Sequence, residues 1–184
     1  PGASYKIDYI EVDSTVTLRV ISYYPPERAA LPPVVLLPGL GSVIENFKGT
    51  LIGLTQNHIV YYIDTREKGT SKISGNVGFS IPEIASDLPK AIELHGLKTG
   101  EYILAGYSLG ASVVACSYEH LRQMPMAVVL VEPSASFKWP WWLIPLARYA
   151  VSVYGVIKPF LKWYMKTFRI NTKEDQEMYD INSR

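Results

Sequence analysis

The chain has 184 residues, of which 48% are hydrophobic and 19% are charged, and its formal net charge is +1. This size and composition predict one globular domain with a sizeable core. The nearly balanced charge argues against a nucleic-acid-binding protein, and a single cysteine excludes an internal disulfide framework. A membrane-spanning helix is not expected, because Arg148 interrupts the longest apolar candidate, residues 139–157.

The first predicted elements are the two strands of an antiparallel hairpin. Residues 15–21 alternate strictly between polar and apolar side chains, which is typical of a half-exposed strand. Residues 6–12 precede them and are joined to them through Asp13 and Ser14, two residues that favour a turn. Strands buried on both faces of a parallel sheet have continuous apolar sequences instead. The sequence predicts four such strands, at 34–37, 59–63, 102–105 and 127–131.

Helices are predicted between these strands. Ser80 and Glu83 form a capping-box pattern, which predicts that a helix begins there, and Pro89 inside that helix should kink it. A weaker helix is predicted over 45–56, and an apolar stripe after Ser108 predicts another. The sequence therefore predicts an α/β fold with a mostly parallel sheet, an N-terminal antiparallel hairpin and helices on both faces.

The segment Gly106-Tyr107-Ser108-Leu109-Gly110 has the pattern G-x-S-x-G, directly after a buried strand and directly before a helix. A chain that reverses this sharply strains the serine backbone and exposes the hydroxyl group at the carboxyl edge of the sheet. The N–H of Leu109, at the helix N-terminus, points toward negative charge that develops on a bound carbonyl. The pattern predicts that Ser108 is a nucleophile, and the alternative is a turn serine without a catalytic role.

Four collinear blocks, at 34–47, 61–72, 102–118 and 126–136, carry a resemblance to a known family. In order, they are similar to the oxyanion loop, the loop after the fourth strand, the nucleophile elbow and the sixth strand of the α/β-hydrolase fold family, in particular its serine esterases and lipases. The resemblance covers the N-terminal two-thirds of such a protein. The second block departs from the family's Asp-x-Arg-Gly-His-Gly-x-Ser at Glu67 and Lys68. It matches that pattern at Asp64, Arg66, Gly69 and Ser71.

The resemblance implies a set of site residues. Ser108 would be the nucleophile, and the backbone N–H groups of Leu40 and Leu109 would form the oxyanion hole. Glu132 would be the triad acid, or else a polar residue at the rim of the pocket. Pro38 stands where the family usually has a loop-bracing histidine. The resemblance implies neither a metal ion nor a cofactor, and it places four residues against the substrate: Gly39, Tyr107, Trp139 and Trp141.

A nucleophilic serine needs a general base within about 3 Å, and the three histidines of the chain are His58, His95 and His120. All three are predicted to be structural or surface residues out of reach of Ser108. In the family, the catalytic histidine follows two further strands, for which no sequence remains before Arg184. We therefore expect an incomplete piece that lacks the catalytic histidine, is inactive by itself, and has an open sheet edge that a further segment or a second chain covers. The alternative is a natural protein that ends here and does not catalyse.

Residues 137–184 are predicted to form a helical cap or lid after the sixth strand, on a hydrolase core of residues 1–136. All four tryptophans lie within 137–170, and residues 158–169 combine an apolar stripe with a basic face. One interpretation is a lid over a pocket for an apolar or lipid-like ester. The other is a segment that contacts anionic lipid, which would place an otherwise cytoplasmic protein at a membrane surface.

Three classes of function follow from these patterns. The favoured one is a serine hydrolase that acts on carboxylic ester or related acyl bonds of an apolar substrate. The alternative is a non-catalytic binding or membrane-surface module with the same fold. A dinucleotide-binding protein is the third class, because Gly39-Leu40-Gly41 follows a strand and Asp64 lies about one crossover later. Ile44 occupies the position of the third glycine, which argues against it.

Overall fold

A mixed sheet organises residues 2–133, which are the residues that the computed structural model describes. Its strands are β1 (Ser4–Glu11), β2 (Val16–Tyr24), β3 (Val34–Leu37), β4 (Val60–Asp64), β5 (Lys72–Ile73), β6 (Ile103–Tyr107) and β7 (Ala127–Val131). The helices are α1 (Lys48–Leu54), α2 (Ile81–Ala85), α3 (Leu88–Leu94) and α4 (Leu109–Ser117), with short 3₁₀ helices at Ile44–Phe47 and Tyr118–His120.

The order of the strands is β1-β2-β4-β3-β6-β7, with β5 paired to β2. β1 pairs antiparallel with β2 and β2 with β4, whereas β4, β3, β6 and β7 run parallel. Successive side chains of a strand point to opposite faces. On one face Val35 and Leu37 join a core cluster with residues of α2, α3 and α4, and on the other Tyr62 packs against Phe47. The predicted α/β fold is confirmed.

β2 departs from its prediction. The alternating sequence predicts a half-exposed strand, but nearly all of β2 is buried, and the Arg19 side chain is as hidden as its apolar neighbours. The reason is that β2 lies between β1 and β4, and that Asp64 on β4 pairs with the guanidinium group. Asp64 Oδ2 accepts from Arg19 Nε at 2.7 Å and lies 2.6 Å from Nη2.

β7 departs in the opposite direction. Its continuous apolar sequence predicts a strand buried on both faces, yet all five residues of Ala127–Val131 are exposed. β7 pairs with β6 on one side and is the outermost strand of the sheet within residues 2–133. The apolar side chains of β7 therefore mark an uncovered edge in the part of the chain that the structure describes.

The single kinked helix predicted after Ser80 is two helices. The capping box is present, with the N–H of Ser80 donating to Glu83 Oε2 at 2.9 Å, so the predicted start is confirmed. α2 ends before Ser86, and α3 begins at Leu88 with Pro89 in its first turn. Proline has no N–H to donate to the preceding turn, so the helix breaks there instead of bending.

Several predictions lie outside residues 2–133. They are the domain boundary at residue 136, the cap over 137–184, Trp139, Trp141, the basic stripe 158–169 and the absence of the C-terminal strands. Within residues 2–133, no helix combines the length and the apolar character needed to cross a membrane.

Candidate active site

The strand register brings the three candidate loops to one edge of the sheet. β3 pairs in parallel with β6 so that Leu37 lies opposite Gly106, and β6 pairs with β7 so that Tyr107 lies opposite Val131. The residues that follow these strands therefore meet at the carboxyl edge, where α/β folds place their sites. The loop that begins at Pro38, the turn at Ser108 and Glu132 all lie at this edge.

Ser108 lies at a sharp turn between β6 and α4. Its backbone has φ 52° and ψ −116°, in the region that favours glycine, and such strain in other residues concentrates at functional sites. The turn is held on both sides. The N–H of Ser108 donates to the Val131 carbonyl of β7 at 2.8 Å, and its own carbonyl accepts from the N–H of Ser112 in α4 at 3.1 Å.

The two glycines of the G-x-S-x-G segment allow the backbone to approach closely at this turn. A Cβ atom on Gly106 would lie 2.5 Å from the carbonyl oxygen of Gly110. A Cβ atom on Gly110 would lie 2.3 Å from the carbonyl oxygen of Leu37 at the end of β3. Both distances are too short for any side chain, so the turn and β3 can be this close only with glycine at both positions.

The loop after β3 packs directly against the serine. A Cβ atom on Gly39 would lie 3.0 Å from Ser108 Cβ and 3.2 Å from Tyr107 Cδ1. The next residue, Leu40, has an exposed side chain, whereas the side chain of Leu109 is buried. The backbone hydrogen bonds within residues 2–133 include none donated by the N–H of Leu40 or Leu109. The two candidate oxyanion donors thus flank the contact between Gly39 and Ser108.

Lys68 holds the loop that contains Gly39, and the sequence identifies it only as a departure from the family pattern. Its Nζ donates to the carbonyl oxygens of Gly39 and Ser42, the latter at 3.0 Å. The N–H of Ser42 donates to the same Gly39 carbonyl at 3.2 Å. Desolvation lowers the pKa of Lys68, while the charges of Glu67 and Asp64 oppose that shift.

The loop that carries Lys68 is fixed by two buried ion pairs. Asp64 accepts from Arg19 and from Thr70 Oγ1, the latter at 2.8 Å, as expected of a residue that fixes its own loop. Arg66, two residues after Asp64, pairs with Asp87 instead of with Asp64. Its Nε and Nη2 donate to the two carboxylate oxygens at 2.8 and 2.6 Å. Asp64 is not available to Arg66, because its carboxylate points back to Arg19 on β2.

Glu132 follows β7 and has a backbone φ of 52°. Hydrogen bonding and charge from the Glu132 carboxylate raise the pKa of Tyr107. The Tyr107 ring packs edge-on against Phe47, with 5.9 Å between the ring centroids. Glu132 and Tyr107, predicted as candidate acid and substrate contact, therefore contact each other beside Ser108.

Two of the three histidines have other partners. His58 precedes β4, and its Nδ1 lies 2.6 Å from the carbonyl oxygen of Pro32. His95 caps α3, with Nδ1 3.0 Å from the Ala91 carbonyl oxygen and its ring against Tyr61. His120 follows α4 on a 3₁₀ helix, at a surface pocket that it shares with Arg122. Among residues 2–133, no group of three or more His, Cys, Asp or Glu residues is arranged to hold a metal ion.

The order of the strands, the strained serine turn and the loop packed against it define the α/β-hydrolase fold, and comparison with solved structures shows the same fold. A hydrolase of Bacillus subtilis has a TM-score of 0.64 at 18% identity, over 98% of this chain and 62% of that one. A protein of Acinetobacter baumannii described as a lipase has a TM-score of 0.62 at 20% identity, over 95% and 52%. The epoxide hydrolase CorEH has a TM-score of 0.62 at 16% identity, over 98% and 68%.

Among curated proteins, the chain is similar to RutD of Escherichia coli, which bears the name carbamate hydrolase. The two are 30% identical over 104 residues, which are 56% of this chain and 37% of RutD. The chain thus spans little more than a third of the length of the curated relatives it matches. No protein-family model matches it.

Proposed function

We propose that the protein is a serine hydrolase in which Ser108 attacks the carbonyl carbon of an ester or a related acyl bond. The observation that carries this proposal is the φ of 52° at Ser108, on a strand-to-helix turn against which Gly39 packs. In that arrangement the N–H groups of Leu40 and Leu109 would stabilise the negative charge on the tetrahedral intermediate. The hydrolase and lipase among the neighbours of this fold support the same class of reaction.

The substrate that we propose is an apolar or lipid-like ester. A carbamate is the second candidate substrate, because the serine would attack it in the same way. An ester and a carbamate both present a carbonyl carbon to the serine, and both give an acylated or carbamoylated serine and a leaving group. The carbamate hydrolase name of RutD supports the second, and the lipase neighbour supports the first.

None of the three histidines of this chain is placed to act as the general base for Ser108. His58 and His95 contact other groups, His120 lies on the 3₁₀ helix after α4, and the sequence holds no fourth histidine. We propose that a histidine from a further segment or a second chain joins the uncovered β7 edge. Glu132 is the candidate acid there, with Tyr107 orienting its carboxylate.

Hydrolysis of p-nitrophenyl acyl esters and of a p-nitrophenyl carbamate, with imidazole supplied as an external base, tests this function. General-base assistance contributes on the order of 100-fold or more, so imidazole should produce hydrolysis above the imidazole background. Ser108→Ala should abolish that excess, and Ser86→Ala, which changes an exposed serine directly after α2, should preserve it. Equal rates for the wild-type chain and Ser108→Ala on both substrates would overturn the proposal.

The second candidate is a non-catalytic module that acts at a membrane surface. It is favoured by the positions of the three histidines and by the basic, apolar pattern of residues 158–169. We expect the chain to sediment with vesicles that contain anionic lipid and not with neutral vesicles. Failure to bind either type of vesicle would remove the membrane-surface role and leave the hydrolase proposal untouched.

A further inference from the structure

Lys68 is a cationic side chain that is directed at backbone carbonyls instead of at a carboxylate. Its Nζ donates to Gly39 and Ser42, two residues of the loop that packs against Ser108. Gly39 is also the residue whose added Cβ would lie 3.0 Å from Ser108 Cβ. The lysine therefore acts on the backbone segment closest to the serine.

The peptide bond between Gly39 and Leu40 connects Lys68 to the candidate oxyanion hole. In a planar trans peptide the C=O and the following N–H point in opposite directions. A group that fixes the Gly39 carbonyl thereby fixes the direction of the Leu40 N–H. A hydrogen bond from an ammonium group is also stronger than one from a neutral donor, and it polarises the same peptide, which makes the N–H a better donor.

The lysine itself is held in place. Its own loop is fixed at one end by the pair of Arg19 and Asp64 and at the other by Ser71, whose Oγ donates to the Asp64 carbonyl at 2.9 Å. Pro38, by contrast, has no polar side chain that could hold the loop after β3. The family usually has a histidine at the position of Pro38, which braces this loop. Here the hydrogen bonds of Lys68 hold the loop instead.

We infer that Lys68 is a positioning residue, which orients and polarises the Gly39–Leu40 peptide so that the Leu40 N–H serves the oxyanion hole. The inference rests on the proposed serine hydrolase function. The inference has a structural part, which is that the ammonium group fixes and polarises the Gly39–Leu40 peptide. That part can be measured whether or not the protein is an enzyme.

The first measurement is by NMR on the isotope-labelled 184-residue chain. In Lys68→Met, the Gly39 carbonyl ¹³C and the Leu40 amide ¹⁵N resonances should shift upfield, because the carbonyl loses a charged donor. In Lys68→Arg, both resonances should lie close to their wild-type positions. Lys90→Met, which removes an exposed lysine, should leave both resonances unchanged. Unchanged Gly39 and Leu40 resonances in a folded Lys68→Met chain would overturn the inference.

A measurement on the wild-type chain covers the case in which Lys68→Met does not fold. As the pH is raised, the Gly39 carbonyl resonance should follow the same titration curve as the Lys68 Cε resonance. Glu67 and Asp64 are the charged groups that act on Lys68 from its own loop. A Gly39 resonance that does not move while Lys68 titrates would count against the inference.

A third measurement is the rate at which a fluorophosphonate modifies Ser108 in the presence of imidazole. Loss of one oxyanion donor costs on the order of 100-fold in rate, so Lys68→Met should react at least about 10-fold more slowly, and Lys68→Arg should recover most of the rate. A Lys68→Met chain that reacts at the wild-type rate overturns the catalytic half of the inference. If the wild-type Ser108 does not react at all, the proposed function fails, and the NMR result still decides whether Lys68 controls the peptide.

Discussion

At the scale of single residues, the site depends on positions where no ordinary side chain fits or where a side chain adopts an unusual backbone conformation. Gly106 and Gly110 could be foreseen from the sequence, because a G-x-S-x-G segment between strand and helix predicts close backbone contacts. Lys68 could not, because its hydrogen bonds cross 29 positions of the chain to Gly39. A lysine in place of a family histidine signals a difference but does not identify its partner.

Gly110→Ala should destabilise the fold. The added Cβ would lie 2.3 Å from the Leu37 carbonyl oxygen, so backbone has to move, and overpacking of this kind costs about 1–3 kcal/mol. Gly53→Ala is the matched control. No atom lies within 4 Å of an added Cβ there, so alanine should stabilise α1 by about 0.5–1 kcal/mol. Urea unfolding measures both, and equal stabilities for the two variants would be inconsistent with a tight turn at Gly110.

Lys68 should make stability depend on pH in the alkaline range. Burial lowers its pKa below 10.5, so the folded chain releases the proton at a lower pH than the unfolded chain does. Between these two pKa values the unfolded state binds more protons, and the free energy of unfolding rises with pH. We expect the difference in unfolding free energy between the wild type and Lys68→Met to rise over that window. Parallel pH profiles for the two proteins would show that burial does not perturb Lys68.

At the scale of secondary-structure elements, the sequence identifies parallel strands better than it identifies their neighbours. β3, β4 and β6 follow from continuous apolar sequence, because strands buried on both faces need it. The prediction that β2 is half-exposed was wrong, because the sequence does not distinguish a buried arginine from an exposed one. Its burial depends on Asp64, 45 positions away, which joins β2 to β4.

Arg19→Met should destabilise the junction of β2 and β4. It leaves the buried carboxylate of Asp64 without its cation, and breaking a buried pair from one side costs about 3–5 kcal/mol. Replacing both residues, as Arg19→Met with Asp64→Leu, should recover much of that loss, because no buried charge remains. Lys90→Met, which removes an exposed pair with Glu93, should change stability by less than about 0.5 kcal/mol. Denaturant unfolding at neutral pH compares the three, and a double variant no more stable than Arg19→Met would contradict this account of the pair.

At the scale of the whole molecule, the fold and the sheet edge that carries the site were predictable, whereas the side-chain contacts within the site were not. Parallel strands 34–37, 102–105 and 127–131 necessarily bring their following loops to one edge, which is why Gly39, Ser108 and Glu132 meet there. That Glu132 contacts Tyr107 depends on side-chain directions that no local pattern encodes. We propose that the histidine joins the site at the β7 edge, where the apolar side chains are exposed.

Fluorophosphonate labelling of the 184-residue chain, read by intact mass and by mapping of the modified peptide, decides whether Ser108 is a nucleophile without a base of its own. We expect slow modification that is confined to Ser108, accelerated at least about 10-fold by imidazole and absent in Ser108→Ala. Rapid labelling without imidazole that Ser108→Ala abolishes would contradict the absence of a base. Failure to label Ser108 even with imidazole would contradict its role as a nucleophile.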